Sequence, residues 1–115
     1  MTLSIPYENS ASINTTEYSL VTNSTVLTAI TTPGVYQCWL DLNALTATEW
    51  YELLVYETVV SGGTKRVFHR EQIIGVQPNP IEPLPGFQLA NGFDFTLRLV
   101  KGTARTIGWS IRKAG

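Results

Sequence analysis

Trp50 to Gln77 reads WYELLVYETVVSGGTKRVFHREQIIGVQ: one long run, a turn at Gly62-Gly63, and a second long run. Its first arm is rich in β-branched and aromatic residues (Trp50, Tyr51, Val55, Tyr56, Thr58, Val59, Val60), which favour strand over helix. The stretch is therefore expected to be a β-hairpin. A two-residue loop of the primed type at Gly62-Gly63 pairs Ser61 with Thr64 and places Glu57 opposite Phe68. Tyr51, Leu53, Val55, Glu57, Val59, Arg66, Phe68, Arg70 and Ile74 then share one face. Trp50, Glu52, Leu54, Tyr56, Val67, His69, Glu71 and Ile73 share the other. A one-residue change of loop length exchanges the faces of the second strand. On either register both faces mix apolar and charged residues, so Trp50, Leu54 and Tyr56 need a cover.

The rest of the chain fits around that hairpin as strands and turns. Val35 to Leu42 alternates, with Tyr36, Cys38, Leu40 and Leu42 facing a core. Thr46-x-x-Glu49 has the form of a capping box, so a short helical turn can precede Trp50. Phe93, Phe95, Leu97 and Leu99 alternate with polar residues, and Ile107, Trp109 and Ile111 do the same after a KGTAR turn. Burying these seven side chains is worth roughly 10–20 kcal/mol gross. Tyr18 to Thr22 and Thr25 to Thr31 read as two short strands about Asn23-Ser24. Gln77 to Gly86, QPNPIEPLPG, carries four prolines and suits an extended crossover between two sheets. About eight strands in all point to an antiparallel β-sandwich over residues 17–115, jelly-roll-like or immunoglobulin-like. Residues 1–16, polar and without a basic side chain, read as an extended N-terminal arm. Ile5 and Tyr7 are the anchors by which such an arm could lie on a neighbouring subunit.

Composition bounds the function. The chain has 115 residues, 43% hydrophobic and 15% charged, enough for one domain with a core and low in charge for a free surface. The N-terminus has no secretory h-region and no apolar run reaches membrane-spanning length, so no membrane partner and a cytoplasmic site of folding are expected. All eight Lys and Arg residues lie at or after Lys65 and six of the nine acids lie before it, giving −6 and +5 on the two sides. Acidic and basic strands can pair across one sheet, or the two halves can attract between subunits. Sparse interleaving of aromatic and basic residues argues against nucleic acid.

Chemistry is missing from the pattern. Ser61-Gly62-Gly63-Thr64 lacks the phosphate-loop lysine spacing. One histidine and one cysteine make no metal set. Cys38, on the core-facing side, reads as a small hydrophobe. No paired carboxyls across a cleft and no G-x-S-x-G elbow are evident. An enzyme and a cofactor are therefore not expected.

From Val35 onward the chain resembles small proteins encoded among the head genes of tailed bacteriophages. The residues that carry this are Leu45-x-x-x-Glu49-x-Tyr51-Glu52-Leu53-x-Val55-Tyr56-Glu57, Gly63-Thr64-x-Arg66, Gly75-x-Gln77-Pro78-x-Pro80 and GFDFTLRLVKGTARTIGWSIR, Gly92 to Arg112. The resemblance implies a virion structural protein that decorates or cements the capsid. Its partners would be the major capsid protein and further copies of itself, as a dimer or trimer, on the capsid surface after folding in the host cytoplasm. Ile5, Tyr7, Trp50, Leu54 and Tyr56 are then the candidate interface. Two other readings stay open: a carbohydrate- or receptor-binding sandwich using Trp39, Trp50 or Tyr56, and a head–tail joining or tail structural protein.

Overall fold

The computed structural model of the chain describes residues 3–114. Within them nine strands form two antiparallel sheets packed as a β-sandwich, without a helix. The strands are β1 (Leu3–Ile13), β2 (Tyr18–Ser19), β3 (Gly34–Asp41), β4 (Trp50–Glu57), β5 (Arg66–Ile74), β6 (Ile81–Pro83), β7 (Phe87–Leu89), β8 (Asp94–Lys101) and β9 (Arg105–Ala114). Sheet A runs β1-β9-β3-β6, with β7 also on β3, and sheet B runs β2-β8-β4-β5.

The period-2 pattern places the core as expected. Tyr36, Cys38, Leu40 and Leu42 are buried, as are Phe93, Phe95, Leu97, Leu99, Ile107, Trp109 and Ile111. Tyr51, Leu53 and Val55 of β4 meet them from sheet B. Two polar tips cross this layer and are satisfied there, which aromatic residues with N–H or O–H groups require when buried. Tyr51 Oη donates to the Ile13 carbonyl at 2.7 Å and accepts from Arg105 N–H at 2.9 Å. Trp109 Nε1 donates to the Leu20 carbonyl at 2.8 Å.

The hairpin differs from its expected register. Glu57 faces Arg66, not Phe68, and the loop spans residues 58–65. Its tip is a turn closed by Gly63 N–H to Val60 O at 2.8 Å, with Gly62 at φ +80°, which a type II turn requires and glycine adopts without strain. The chain leaves the ladder early because polar groups have better partners elsewhere. Thr58 Oγ1 donates to Gly92 O at 3.0 Å, and the Glu57 carboxylate accepts from Thr58 N–H and Ala90 N–H. A bulge in β5, between Val67 and His69 and opposite Val55 and Tyr56, leaves Phe68 unpaired. Through the body of the hairpin Tyr51 therefore faces Ile73 and Leu53 faces Glu71, so the faces of β5 are exchanged relative to expectation. The bulge also lets Phe68 and His69 both reach Phe87 of sheet A, at ring-centroid distances of 5.1 and 5.0 Å.

Three other segments depart from the sequence reading. Residues 3–13, expected as an arm, are extended but belong to sheet A as its edge strand on β9, with Ile13 buried; Met1 and Thr2 of that arm, like Gly115 at the other end, lie outside the described residues. Thr25 to Thr31 is not a strand. Thr22 Oγ1 donates to Val26 O and shares a bond with Ser24 Oγ, and Asn23 is left-handed at φ 54°, so side chains take the place of a ladder. Only Ile30 bridges to Phe93. The capping box forms its signature bond, Thr46 N–H to Glu49 Oε1 at 2.6 Å, yet β4 follows directly. The proline-rich segment does cross from sheet B to sheet A, and its middle, β6, pairs at the edge on β3.

Candidate functional site

The outer face of sheet B is where the sequence placed an interface. The structure closes that face with the chain's own polar side chains. Glu52 on β4 accepts from Arg98 on β8 through Nε and Nη2, at 3.1 and 2.8 Å, and from Gln72 on β5 at 2.6 Å. Arg70 Nη1 lies 3.8 Å from the same carboxylate. Burial pushes the Glu52 carboxyl up, but the Arg98 and Gln72 bonds and the two guanidinium charges outweigh it and hold the group below its ordinary value. Leu54, between Thr96 and Arg70 in the ladder, is only 5% exposed. Trp50 is half-buried, its indole N–H donating to Gln72.

A second cluster lies further along the same face. Glu17 accepts from Tyr56 Oη and Thr96 Oγ1, and Lys65 Nζ sits 5.0 Å from the Tyr56 ring centroid. Burial, then the Glu17 bond and charge, push the Tyr56 hydroxyl up to about 12. Asp94 is fully buried: Oδ1 accepts from Ser19 Oγ at 2.7 Å, and Oδ2 has no hydrogen-bond partner, with Lys65 Nζ 3.8 Å away. Burial raises the Asp94 carboxyl to about 6 against the pull of Ser19 and Lys65.

At the end of the sandwich Glu49, also buried, is brought down to about 2. The Thr48 hydroxyl contributes most, then the Thr46 N–H; burial opposes them, and the Arg105 and Thr46 side chains add to the lowering. The ion pairs Glu49–Arg105, Glu52–Arg98 and Glu52–Arg70 each join the acidic part of the sequence to the basic part, so part of the charge division is used within the molecule.

The expected interface residues are therefore scattered. Trp50, Leu54 and Tyr56 share the sheet B face but are engaged by Gln72, the Glu52 ladder and Glu17. Tyr7 is half-buried against the core. Ile5 stays 46% exposed near Leu3, at 63%, on the edge strand. Cys38 is buried with its thiol pushed up by burial, which leaves it protonated and unreactive. Among the described residues no three His, Cys, Asp or Glu side chains converge as a metal site would need.

The outer face of sheet A is different. A shallow depression of about 550 Å³ is lined by Glu8, Ser10, Trp39, Asp41, Gly108 and Arg112, among others. In the register Ser10 and Asp41 flank Gly108, and Glu8 and Trp39 flank Ser110. The Arg112 guanidinium carbon stacks 4.2 Å from the Trp39 ring centroid, and Arg112 Nε donates to Ser110 Oγ at 3.2 Å. Trp39 and Arg112 also border a second depression of about 280 Å³, so their stack is a ridge between the two. The sequence reading named Trp39 as a possible stacking platform but missed the depression around it. Its signal was the row of small residues opposite Trp39 on the outward side of the last strand, Gly108 and Ser110. No family model, curated protein or solved structure matches the chain.

Proposed function

We propose that this protein is a structural, adhesive component of a phage virion, which decorates or cements the capsid by binding the major capsid protein and neighbouring copies of itself. The observation that carries this is the edge strand β1. It is eleven residues long, pairs with β9 on one side only, and exposes Leu3 and Ile5. A free strand edge offers unpaired backbone N–H and C=O groups to an added strand, and the exposed apolar side chains give that strand something to pack on. Pro6 and the register shift between Ser4 and Tyr7 interrupt the edge, which limits open-ended stacking of copies. The buried, bonded carboxylates described above support an adhesive rather than a chemical role: each is held by partners that fix structure. The resemblance of residues from Val35 onward to phage head proteins supports the same reading, in which the protein sits on the capsid surface.

Attachment is tested by adding purified protein to capsids assembled without it and sedimenting them. The parent protein should pellet with capsids, and a Leu3→Asp, Ile5→Asp double variant should pellet at least about tenfold less, the equivalent of some 1.4 kcal/mol. A parent protein that stays monomeric and remains in the supernatant sinks the proposal.

A further inference from the structure

We propose that the outer face of sheet A is a glycan-binding groove, in which Trp39 stacks on a pyranose ring and Glu8, Asp41 and Arg112 bind its hydroxyls. The floor is unusual for a strand interior. Gly108 lies in the middle of β9 with an ordinary negative φ. A Cβ built there would meet Asp41 Cβ at 3.7 Å and Asn9 O at 3.9 Å, which is ordinary contact. Neither backbone conformation nor packing demands glycine at this place. Glycine in a strand costs stability, and its commonest uses are a bulge or the close approach of another group. The β3–β9 and β1–β9 ladders are regular at Gly108, which leaves close approach.

The polar groups around the floor are free to bind. Glu8 makes no hydrogen bond or ion pair among the described residues, and Asp41 accepts only from Asn43 N–H at 3.1 Å. Arg112 donates to Ser110 through Nε, covers one face of the Trp39 ring and is in no ion pair among those residues, while the Trp39 N–H donates to Gln37 Oε1 at 3.2 Å, so a sugar would take the ring face turned away from the guanidinium. Two carboxylate acceptors and one guanidinium donor thus surround an indole. A sugar has that mixed character: an apolar C–H face to lie on an aromatic ring, and vicinal hydroxyls that both donate and accept.

Other occupants fit less well. Two carboxylates oppose the phosphates of a nucleic acid. An added peptide strand finds no free backbone on this floor, because β9 is paired on both sides, with β1 and β3, and the free edge of β1 lies at its margin. The shallow, polar-rimmed shape does not enclose a small apolar ligand. The second depression beyond the Trp39–Arg112 ridge would take an adjoining sugar unit, so an oligosaccharide fits better than a monosaccharide.

Glycan binding does not rest on capsid attachment: it is read on the isolated protein, whereas attachment is read on capsids. The test is an array of oligosaccharides built from glucose, galactose and N-acetylhexosamines together with bacterial surface polysaccharides. Titration of the strongest hit is then followed on the Trp39 indole N–H resonance. The expected result is a saturable shift of that resonance, with affinity falling about tenfold or more in Trp39→Ala. Gly108→Val, which fills the floor while favouring strand, should lose binding to the same degree and keep the parent melting temperature. An array without hits and an unmoved resonance at about 10 mM sugar overturn the proposal. So does binding that both variants leave intact, or a second copy of the chain found covering Trp39.

Discussion

The two outer faces of this sandwich are built from similar materials and end in opposite states. On sheet B, carboxylates stand beside arginines, glutamine and tyrosine, and Glu17 and Glu52 are each held by partners within the chain. On sheet A, Glu8, Asp41 and Arg112 stand apart across a floor of serine and glycine. The difference is one of reach. Arg98 and Arg70 sit on the strands either side of Glu52 and converge on it, whereas the small residues of sheet A leave their charged neighbours too far apart to meet. A surface that has satisfied itself has little to offer a partner, and one that has not retains its polar groups for binding. Apolar side chains on an exposed face, such as Leu54, do not by themselves mark an interface when long polar neighbours fold over them.

Four perturbations separate the faces. The largest acts on what they share: Phe95→Ala empties the centre of the common core and should cost about 3–5 kcal/mol in urea unfolding, abolishing any difference between the faces by loosening both sheets. Next, Glu52→Gln should cost about 1.5–3 kcal/mol, because a charge-assisted fork from Arg98 is lost at a largely buried carboxylate. Third comes pH. Asp94 binds its proton more tightly folded than unfolded, so stability should rise by about 1 kcal/mol as pH falls from 7 to 5 through its raised value. Glu49 and Glu52 have the opposite sign; their contribution is present above the unfolded carboxylate value and fades in stronger acid. Chemical denaturation between pH 4 and 8 should therefore show an optimum near pH 5, and Asp94→Asn should remove the rise above it. The smallest effect belongs to sheet A: Trp39→Ala should alter stability by less than about 1 kcal/mol, although the proposed glycan affinity should fall about tenfold or more. A larger cost there in thermal melts places Trp39 among the structural residues.

Much of this division was legible in the sequence, and the reasons are specific. Alternation in Val35–Leu42, Phe93–Leu99 and Ile107–Ile111 marked the core because a strand buried on one face repeats every second residue. The acid-first, base-last order left pairing across one sheet and attraction between subunits both open, and Glu52 with Arg98 realises the first. The hairpin register was not legible. Gly62-Gly63 resembles a two-residue loop, but Thr58 and Glu57 find partners at residues 90 and 92, a contact between distant segments that no local rule contains. Asp94 escaped for a similar reason: it alternates as an outward residue, and only β2 and Lys65 folding over it make it buried. The groove of sheet A depends on which strands lie side by side, and β1, β9 and β3 are far apart in the chain.

That arrangement of β1, β9 and β3 also bears on how the molecule is made. The central strand of sheet A consists of residues 105–114, so a ribosome must finish those residues before β1 has anything to pair with and before β3 gains its long partner, β6 and β7 offering it only three residues each. Sheet B can assemble first from β4, β5 and β8. Until β9 arrives, one side of its core stays open to water and to other chains, and loop closure over about a hundred residues makes the final step slow relative to helical proteins of this size. The interval between completion of Lys101 and docking of Arg105 to Ala114 is thus when most apolar core surface stands uncovered.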